Sequence, residues 1–268
     1  MSKTRLRTTE KAAKGSIADV GQVPAVSRAV AILRLLGKSE VPMGVNEIAR
    51  ELNIIPSTAL HILRVLAAHE MVAPDSSKKY QLDAGVLTLA RSLLRPRSFG
   101  PAVQPYLDKV SEKFRVLAVG SRVIGLDHYV IMATSRPRSR GVHLHIDVGT
   151  RIPALLSSTG HCVAAFTSQT KAKIRQAFIR QKWKGAPSFD QWMKDVELAR
   201  KQGYAVDQLY IRAMTTVAAP VLDDSGIISH AVAVVGVTES FSQSDISQIG
   251  EELKRIGEII SKRLSKST

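Results

Sequence analysis

The chain has 268 residues, of which 44% are hydrophobic and 23% charged, and its formal net charge at pH 7 is +15. This apolar content excludes a wholly disordered chain, and the length is enough for two modest domains. No apolar run approaches the roughly 18 residues of a membrane span, and the N-terminal stretch lacks the apolar segment of a secretory signal. Cys162, the single cysteine, cannot form an intrachain disulfide or a thiolate zinc site. We therefore expect a cytoplasmic protein without a cofactor.

The positive charge favours a polyanionic partner, with nucleic acid ahead of a membrane surface. Most of the excess lies beyond residue 98, so charge alone does not locate a nucleic-acid surface. A basic protein whose lysines are merely solvated remains the alternative until a motif decides.

Residues 1–23 are polar, basic and aperiodic, which predicts a disordered tail. An amphipathic helix is then predicted, with Gly37 ending it. Its apolar face has the spacing i, i+3, i+4, i+7 and consists of Val26, Ala29, Val30 and Leu33.

The stretch GVNEIARELNIIPSTALHILRVL, residues 44–66, carries the helical rhythm twice, with a break between. The first set of apolar residues is Val45, Ile48, Ala49 and Leu52, and the second is Ala59, Ile62, Leu63 and Leu66. Gly44 and Glu47 suit the start of a helix, and Pro56 suits a first turn. The sequence predicts two short helices joined by residues 53–55.

Two short strands, residues 71–73 and 80–82, are predicted on either side of a turn that carries Lys78 and Lys79. Helices followed by such a hairpin, over residues 24–82, predict a winged helix-turn-helix DNA-binding domain.

The second helix of this motif presents polar side chains opposite its apolar stripe: Ser57, Thr58, His61 and Arg64. Hydroxyl, imidazole and guanidinium groups there can contact phosphates or base edges in the major groove. Lys78 and Lys79 would contact backbone phosphates or the adjacent minor groove. The alternative is an ordinary solvated helix face.

Residues 83–98 are predicted to form a linker with a helix over 85–95, closed by Pro96, Gly100 and Pro101. Helices and strands alternate through residues 99–268, with Asp223–Gly226 as a hairpin turn that favours a mixed or antiparallel sheet. The predicted helices are 103–114, one from the 149–153 turn through 166, 170–183, 188–202 and 242–264. The predicted strands are 116–119, 129–134, 142–147, 203–207, 215–222 and 228–237.

Seven stretches, in this order over residues 24–265, resemble the IclR family of bacterial transcriptional regulators: AVSRAVAILRLL, VNEIARELNIIPSTALHILRVL, KKYQLDAGVLTLA, DVGTRIPALLSSTGHCVAAF, ARKQGYAVD, TTVAAPVLDDSG and VAVVGVT. The resemblance implies an α+β chain with an N-terminal winged helix-turn-helix and a GAF-like C-terminal effector domain. It also implies homodimers or homotetramers that bind palindromic operators in double-stranded DNA and respond to small molecules, often organic acids.

A helix start rich in hydroxyls, Ser157-Ser158-Thr159-Gly160, follows the 149–153 turn. Free N–H groups and hydroxyls at a helix N-terminus suit a carboxylate, although we expect Ser157 simply to cap the helix. The resemblance places the effector at Ser158, Thr159, Asp207, Thr216, Ala233 and Val235.

This chain departs from the family pattern in a direction that makes the pocket less polar. Leu155 and His161 stand where a His and a Lys are usual, Thr216 replaces a Cys, and Ala233 and Val235 replace small polar residues. We therefore expect an effector with more apolar body than a two-carbon acid, such as an aromatic or longer-chain carboxylate. Arg212 is its candidate counter-ion.

His143, His145 and Asp147 alternate in HLHID, so on a strand they would share one face and could bind zinc. Same-face neighbours on a strand are about 6.6–7 Å apart. Bringing all three side chains to one ion, with bonds of about 2 Å, would strain the strand. We favour a strand face that is merely polar.

Two other classes of function are open from the sequence. A small-molecule hydrolase is disfavoured because His161 and Cys162 are adjacent, so their side chains diverge on a helix, and no nucleotide or hydrolase motif is present. A non-specific architectural nucleic-acid-binding protein would not need the large folded domain beyond the linker.

Overall fold

The computed structural model describes residues 23–137, 145–181, 183, 185–208 and 213–266. The predicted tail, apart from Val23, and the candidate residues His143 and Arg212 lie outside this part of the chain. The chain forms two compact units, Met1–Leu93 and Leu94–Thr268, each with its own hydrophobic core. Among the described residues, no helix is both long and apolar enough to cross a bilayer.

The N-terminal unit consists of helices and one antiparallel hairpin around a small core. Its elements are α1 Pro24–Leu36, α2 Val45–Leu52, α3 Pro56–Ala68, β1 Val72–Pro74, β2 Tyr80–Leu82 and α4 Gly85–Ala90. Val72 of β1 pairs with Leu82 of β2. The core is built from Ile32, Leu36, Met43, Ile48, Leu63 and Val72.

The predicted break between two short helices is confirmed. Asn53 takes the left-handed conformation, with φ of 52°, directly after α2. Its N–H donates to the Arg50 carbonyl, and the Ile54 N–H donates to the Ala49 carbonyl at 2.9 Å, which closes the helix end. Pro56 then starts α3, where its missing N–H costs nothing.

The predicted apolar face of α1 is wrong in its N-terminal half. Val26 and Val30 are 61% and 38% exposed, whereas Ile32 and Leu36 are buried. The reason is that the core of the unit reaches only the C-terminal turns of α1, where Ile32 and Leu36 join Ile48 and Leu63.

The helix predicted over residues 85–95 is also too long, since α4 ends at Ala90. Beyond it the chain continues in tighter turns, with the Leu93 N–H donating to the Ala90 carbonyl at 2.9 Å. Leu87 and Leu89 are 63% and 69% exposed, so little burial supports a longer helix. Gly100 and Pro101, predicted to end this helix, instead lie in the first turn of the next one.

The C-terminal unit is built on one antiparallel sheet with the strand order β5-β4-β3-β8-β7-β6. Its strands are β3 Leu117–Ile124, β4 His128–Ser135, β5 Arg151–Pro153, β6 Ala205–Asp207, β7 Met214–Leu222 and β8 Ile228–Val237. Its helices are α5 Phe99–Phe114, α6 Ser157–Ala165, α7 Lys171–Arg180, α8 Phe189–Gln202 and α9 Gln243–Ser265.

Helices cover both faces of this sheet, and side chains alternate between the faces. On β7, Val217 and Ala219 belong to the core shared with α5 and α9, whereas Ala218 belongs to the core shared with α6, α7 and α8. The same alternation places Thr216 and Ala233 on the α6 side.

The strand predicted over residues 142–147 is wrong where it can be followed. His145–Asp147 is not a strand, and the His145 Nε2 lies 2.5 Å from the Asp147 Oδ1. Gly149, with φ of 87°, turns the chain so that Arg151–Pro153 pairs with β4 instead.

A half-buried histidine on β8, packed against α5, is expected to make the stability of this unit pH-dependent. His230 stacks on Phe99 with ring centroids 4.2 Å apart, and burial, followed by the charge of Arg122, lowers the pKa of His230 to about 4. The unfolded histidine titrates near 6.5, so between these values the unfolded chain binds more protons and stability falls as pH falls.

We expect His230→Phe, which retains an aromatic ring against Phe99, to remove about 3 kcal/mol of the stability that the wild type loses between about pH 7 and about pH 4. Urea unfolding of both proteins across this range measures the difference. Parallel stability curves for the two proteins would contradict the assignment.

Candidate DNA-binding surface and effector pocket

The helix α3 separates its buried and exposed sides as a recognition helix requires. Ala59 and Leu63 are fully buried. Ser57, His61 and Arg64 are exposed along the opposite side, and Thr58 is half-buried beside them. No acidic residue lies on α3, so nothing on the helix itself repels a phosphate.

The hairpin turn between β1 and β2 presents both predicted lysines. Lys78 and Lys79 are exposed. The Asp75 Oδ1 accepts hydrogen bonds from the N–H groups of Ser77 at 2.8 Å and Lys79 at 2.9 Å. Lys78 takes the left-handed conformation, with φ of 59°. The turn is therefore ordered by its own aspartate, and within the part of the chain that the structure describes no ion pair engages the ammonium group of Lys78 or Lys79.

A cavity of about 30 Å³ lies beside the N-terminal end of α6. Five residues that the resemblance implied for the effector line it together: Ser158, Thr159, Thr216, Ala233 and Val235. Asp207 does not line the cavity, but its carbonyl accepts from the Thr216 hydroxyl at 3.4 Å.

The polar groups of the cavity are incompletely satisfied. The Ser158 N–H donates to the Thr216 Oγ1 at 3.2 Å. The Ser158 Oγ is fully buried and has no hydrogen-bond partner within the described residues. A buried hydroxyl without a partner costs about 1–3 kcal/mol, and a ligand that accepts a hydrogen bond from this hydroxyl would recover that free energy.

The expectation that Ser157 caps this helix is wrong. Leu156 occupies the N-cap position, and no side chain makes a capping hydrogen bond there. Ser157 instead has φ of 59° and borders the cavity.

Sequence reasoning missed most of the apolar wall. Besides Ser157, the cavity is lined by Val119, Tyr129, Ile131, Ile146 and Ile152. These residues come from β3, β4, β5 and the segment before β5, so only the sheet order brings them together. Alternation within each strand is a signal for which face a residue occupies, but not for which residues meet.

His161 and Cys162 point away from each other, toward different neighbours of α6. The His161 ring lies beside Trp192 of α8, with centroids 5.6 Å apart. The Cys162 Sγ lies 3.3 Å from the Ala218 carbonyl of β7, and burial raises the pKa of this thiol. The two side chains do not form a nucleophile–base pair, and the thiol is held in its unreactive protonated form.

No cluster of three metal-ligating side chains is present within the residues that the structure describes. Of the three candidates in HLHID, His145 contacts Asp147, and Arg136 also lies 3.8 Å from that carboxylate. This part of the motif is an exposed polar network.

The two units together define a class of protein: a DNA-binding transcriptional regulator with a separate effector-binding domain. A family model of the IclR helix-turn-helix domain matches residues 25–76, and a model of the bacterial transcriptional regulator IclR C-terminal domain matches residues 100–262. The chain belongs to the IclR family of bacterial transcriptional regulators.

Curated relatives agree with this assignment. The Pca regulon regulatory protein of Pseudomonas putida is 24% identical, with 83% of this chain and 77% of that protein covered. The HTH-type transcriptional repressor AllR of Escherichia coli K12 is 23% identical, with 90% of each chain covered.

Solved structures show the same fold. An IclR transcriptional regulator from Alicyclobacillus acidocaldarius superimposes with a TM-score of 0.76 at 23% identity, covering 91% of this chain and 99% of that one. An IclR homologue from Microbacterium hydrocarbonoxydans, solved as a complex with 4-hydroxybenzoate, gives 0.72 at 17% identity and covers 91% of this chain and all of that one.

Proposed function

We propose that the protein regulates transcription by binding a palindromic operator through the exposed side of α3. The observation that carries this proposal is that Ser57, His61 and Arg64 are all exposed opposite the buried Ala59 and Leu63. Thr58 contributes beside them, and Lys78 and Lys79 contact the backbone phosphates.

Binding of a palindrome requires two copies of the N-terminal unit, so the proposal includes a homodimer or homotetramer. The exposed apolar side chains of α4, Leu87 and Leu89, suit burial against a second copy. An effector alters the spacing of the paired units through the 83–98 linker. For this it must bind one spacing more tightly than the other.

The effector that suits the cavity is a carboxylic acid with an apolar body. The Ser158 hydroxyl and the N–H group of Thr159 at the start of α6 can donate to a carboxylate, while Ile131, Ile146 and Ile152 offer an apolar wall. The cavity of about 30 Å³ holds on the order of one water molecule. Binding therefore requires these walls to move apart. Arg212 completes the proposal as a counter-ion to the carboxylate.

A thermal-shift screen of several aromatic and longer-chain acids tests the effector class. It includes 4-hydroxybenzoate, with which the Microbacterium homologue was solved. We expect some of these acids to stabilise the protein. Stabilisation by glyoxylate- or pyruvate-sized acids alone would reject the proposed apolar body.

Ser158→Ala should weaken binding of such an acid by about tenfold or more, because a hydrogen bond to a charged group is worth about 1.5–3 kcal/mol. The matched control is Ser111→Ala, which removes another buried hydroxyl. Ser111 lies on α5, and its hydroxyl donates to the Val116 carbonyl at 2.7 Å. The control should lose stability but bind the acid normally. Calorimetric titration of both variants decides, and equal acid affinity in wild type and Ser158→Ala would remove Ser158 from the site.

The proposed role involves no catalysis, which the buried, protonated Cys162 supports. Sequencing the DNA that the protein retains from its own genome tests operator recognition directly. A salt-sensitive association with DNA that shows no preferred site would instead favour an architectural nucleic-acid-binding protein.

A further inference from the structure

One buried group on α6, His161, has no role in the proposed function. His161 lies on α6, one turn after Ser158, and is 5% exposed. Its Nδ1 is buried and has no hydrogen-bond partner within the described residues. A buried imidazole nitrogen without a hydrogen-bond partner costs free energy and calls for an explanation.

The charged groups that face this ring are two carboxylates. Asp207 of β6 and Asp195 of α8 both act on His161 electrostatically and favour its protonated form. Arg200, also on α8, is directed elsewhere, since its Nε donates to the Ala165 carbonyl at 2.9 Å near the end of α6.

The two other strands packed against α6 add no charge to this site. β7, Met214–Leu222, contains no titratable side chain. The single titratable side chain of β8 is His230, which faces the opposite side of the sheet and stacks on Phe99. The electrostatic surroundings of His161 are therefore set by two negative charges and by burial.

Burial is the stronger influence and lowers the pKa of His161, so the imidazole is neutral in the ligand-free protein at neutral pH. A carboxylate bound at the first turn of α6 would add a third negative charge, one helical turn from the ring. That charge stabilises imidazolium over imidazole, so the pKa of His161 rises when the acid binds.

We propose that His161 is the proton acceptor of the acid-binding site: a carboxylate effector binds at the N-terminal end of α6 together with one proton, which the imidazole takes from solvent. The inference rests on the proposed acid effector and names how that site is regulated. At pH values at which His161 is neutral before binding and protonated after it, the affinity for the acid rises as pH falls, by at most about tenfold per pH unit.

Calorimetric titration of the full chain with 4-hydroxybenzoate and with benzoate, in buffers of different ionisation enthalpy, tests this between about pH 5.5 and about pH 8. The wild type should take up a fraction of a proton on binding, so that its observed heat varies with the buffer. His161→Gln, which keeps a neutral polar side chain, should bind with heats independent of the buffer and with affinity independent of pH.

The titration of His161 can also be followed in the wild type by NMR of histidine-labelled protein, which does not depend on the variant folding. The His161 ring signal should titrate at higher pH when the acid is bound. Binding without proton uptake, or equal uptake in His161→Gln, overturns the inference and leaves the acid effector intact. If none of the aromatic and longer-chain acids of the thermal-shift screen binds at any pH, the effector proposal fails and this inference fails with it.

Discussion

Arg64→Ala should weaken operator binding by about fivefold or more per half-site, because a guanidinium that contacts guanine or phosphate contributes about 1–3 kcal/mol. Arg64 is exposed on α3 at the third position of the i, i+4, i+7 series that begins with Ser57. Removing its side chain leaves the buried face of α3, Ala59 and Leu63, intact. Stability and oligomeric state should therefore be unchanged, and only binding should fall.

Fluorescence anisotropy with the operator sequence, at one fixed salt concentration, measures the loss. Arg175→Ala is the matched control: this arginine is also exposed but lies on α7 of the other unit, 3.3 Å from Asp190. Arg175→Ala lowers the net charge by the same amount as Arg64→Ala. If both variants lose affinity equally, the net charge of the protein accounts for the loss; in that case, or if Arg64→Ala binds like the wild type, the exposed side of α3 does not face the DNA.

Sequence periodicity gave reliable predictions wherever a helix buries one face against its close neighbours in the chain. The break at Asn53, the start of α3 at Pro56 and the buried positions of α2 and α3 were all predictable, because local spacing and turn chemistry determine them. The six-stranded antiparallel sheet was predictable only as a mixed or antiparallel one, since its order depends on pairings distant in the chain.

Periodicity failed where burial depends on distant parts of the chain. Val26 and Val30 have the same spacing as the buried residues of α2, yet no core reaches them. Likewise, His145–Asp147 alternates as a strand does, but the edge of β4 is paired by Arg151–Pro153. Tertiary contacts decide such cases, and the local pattern does not contain them.

For the proposed effector cavity, the family resemblance supplied the polar candidates, and the remaining lining residues are brought together by the sheet. Ser158 and Thr216 were candidates because the motifs matched, but their 3.2 Å hydrogen bond joins α6 to β7 across 58 residues. The residues of the apolar wall, such as Val119 and Ile152, are brought together by the strand order and not by any motif. The departures from the family pattern therefore predicted a less polar pocket but not the apolar residues that line it.

Gly160 determines how α6 sits beside this cavity. A Cβ built on Gly160 would lie 2.1 Å from the carbonyl carbon of Leu155 and 2.3 Å from its oxygen. These are backbone atoms, which cannot rotate away as the end of a side chain can. Any larger residue therefore has to move the start of α6 away from the turn that precedes it, and with it Ser158 away from Thr216.

We expect Gly160→Ala to destabilise the C-terminal unit by about 3 kcal/mol or more, which corresponds to a fall of roughly 5–10 °C in its unfolding temperature. Acid binding should be lost as well, since the N–H groups of α6 leave the cavity. Calorimetric unfolding and acid titration measure the two effects. Gly44→Ala is the control, because a Cβ there meets nothing within 4 Å. An unchanged unfolding temperature in Gly160→Ala would show that α6 can shift without a loss of stability. It would contradict the claim that Gly160 determines the position of α6 beside the cavity.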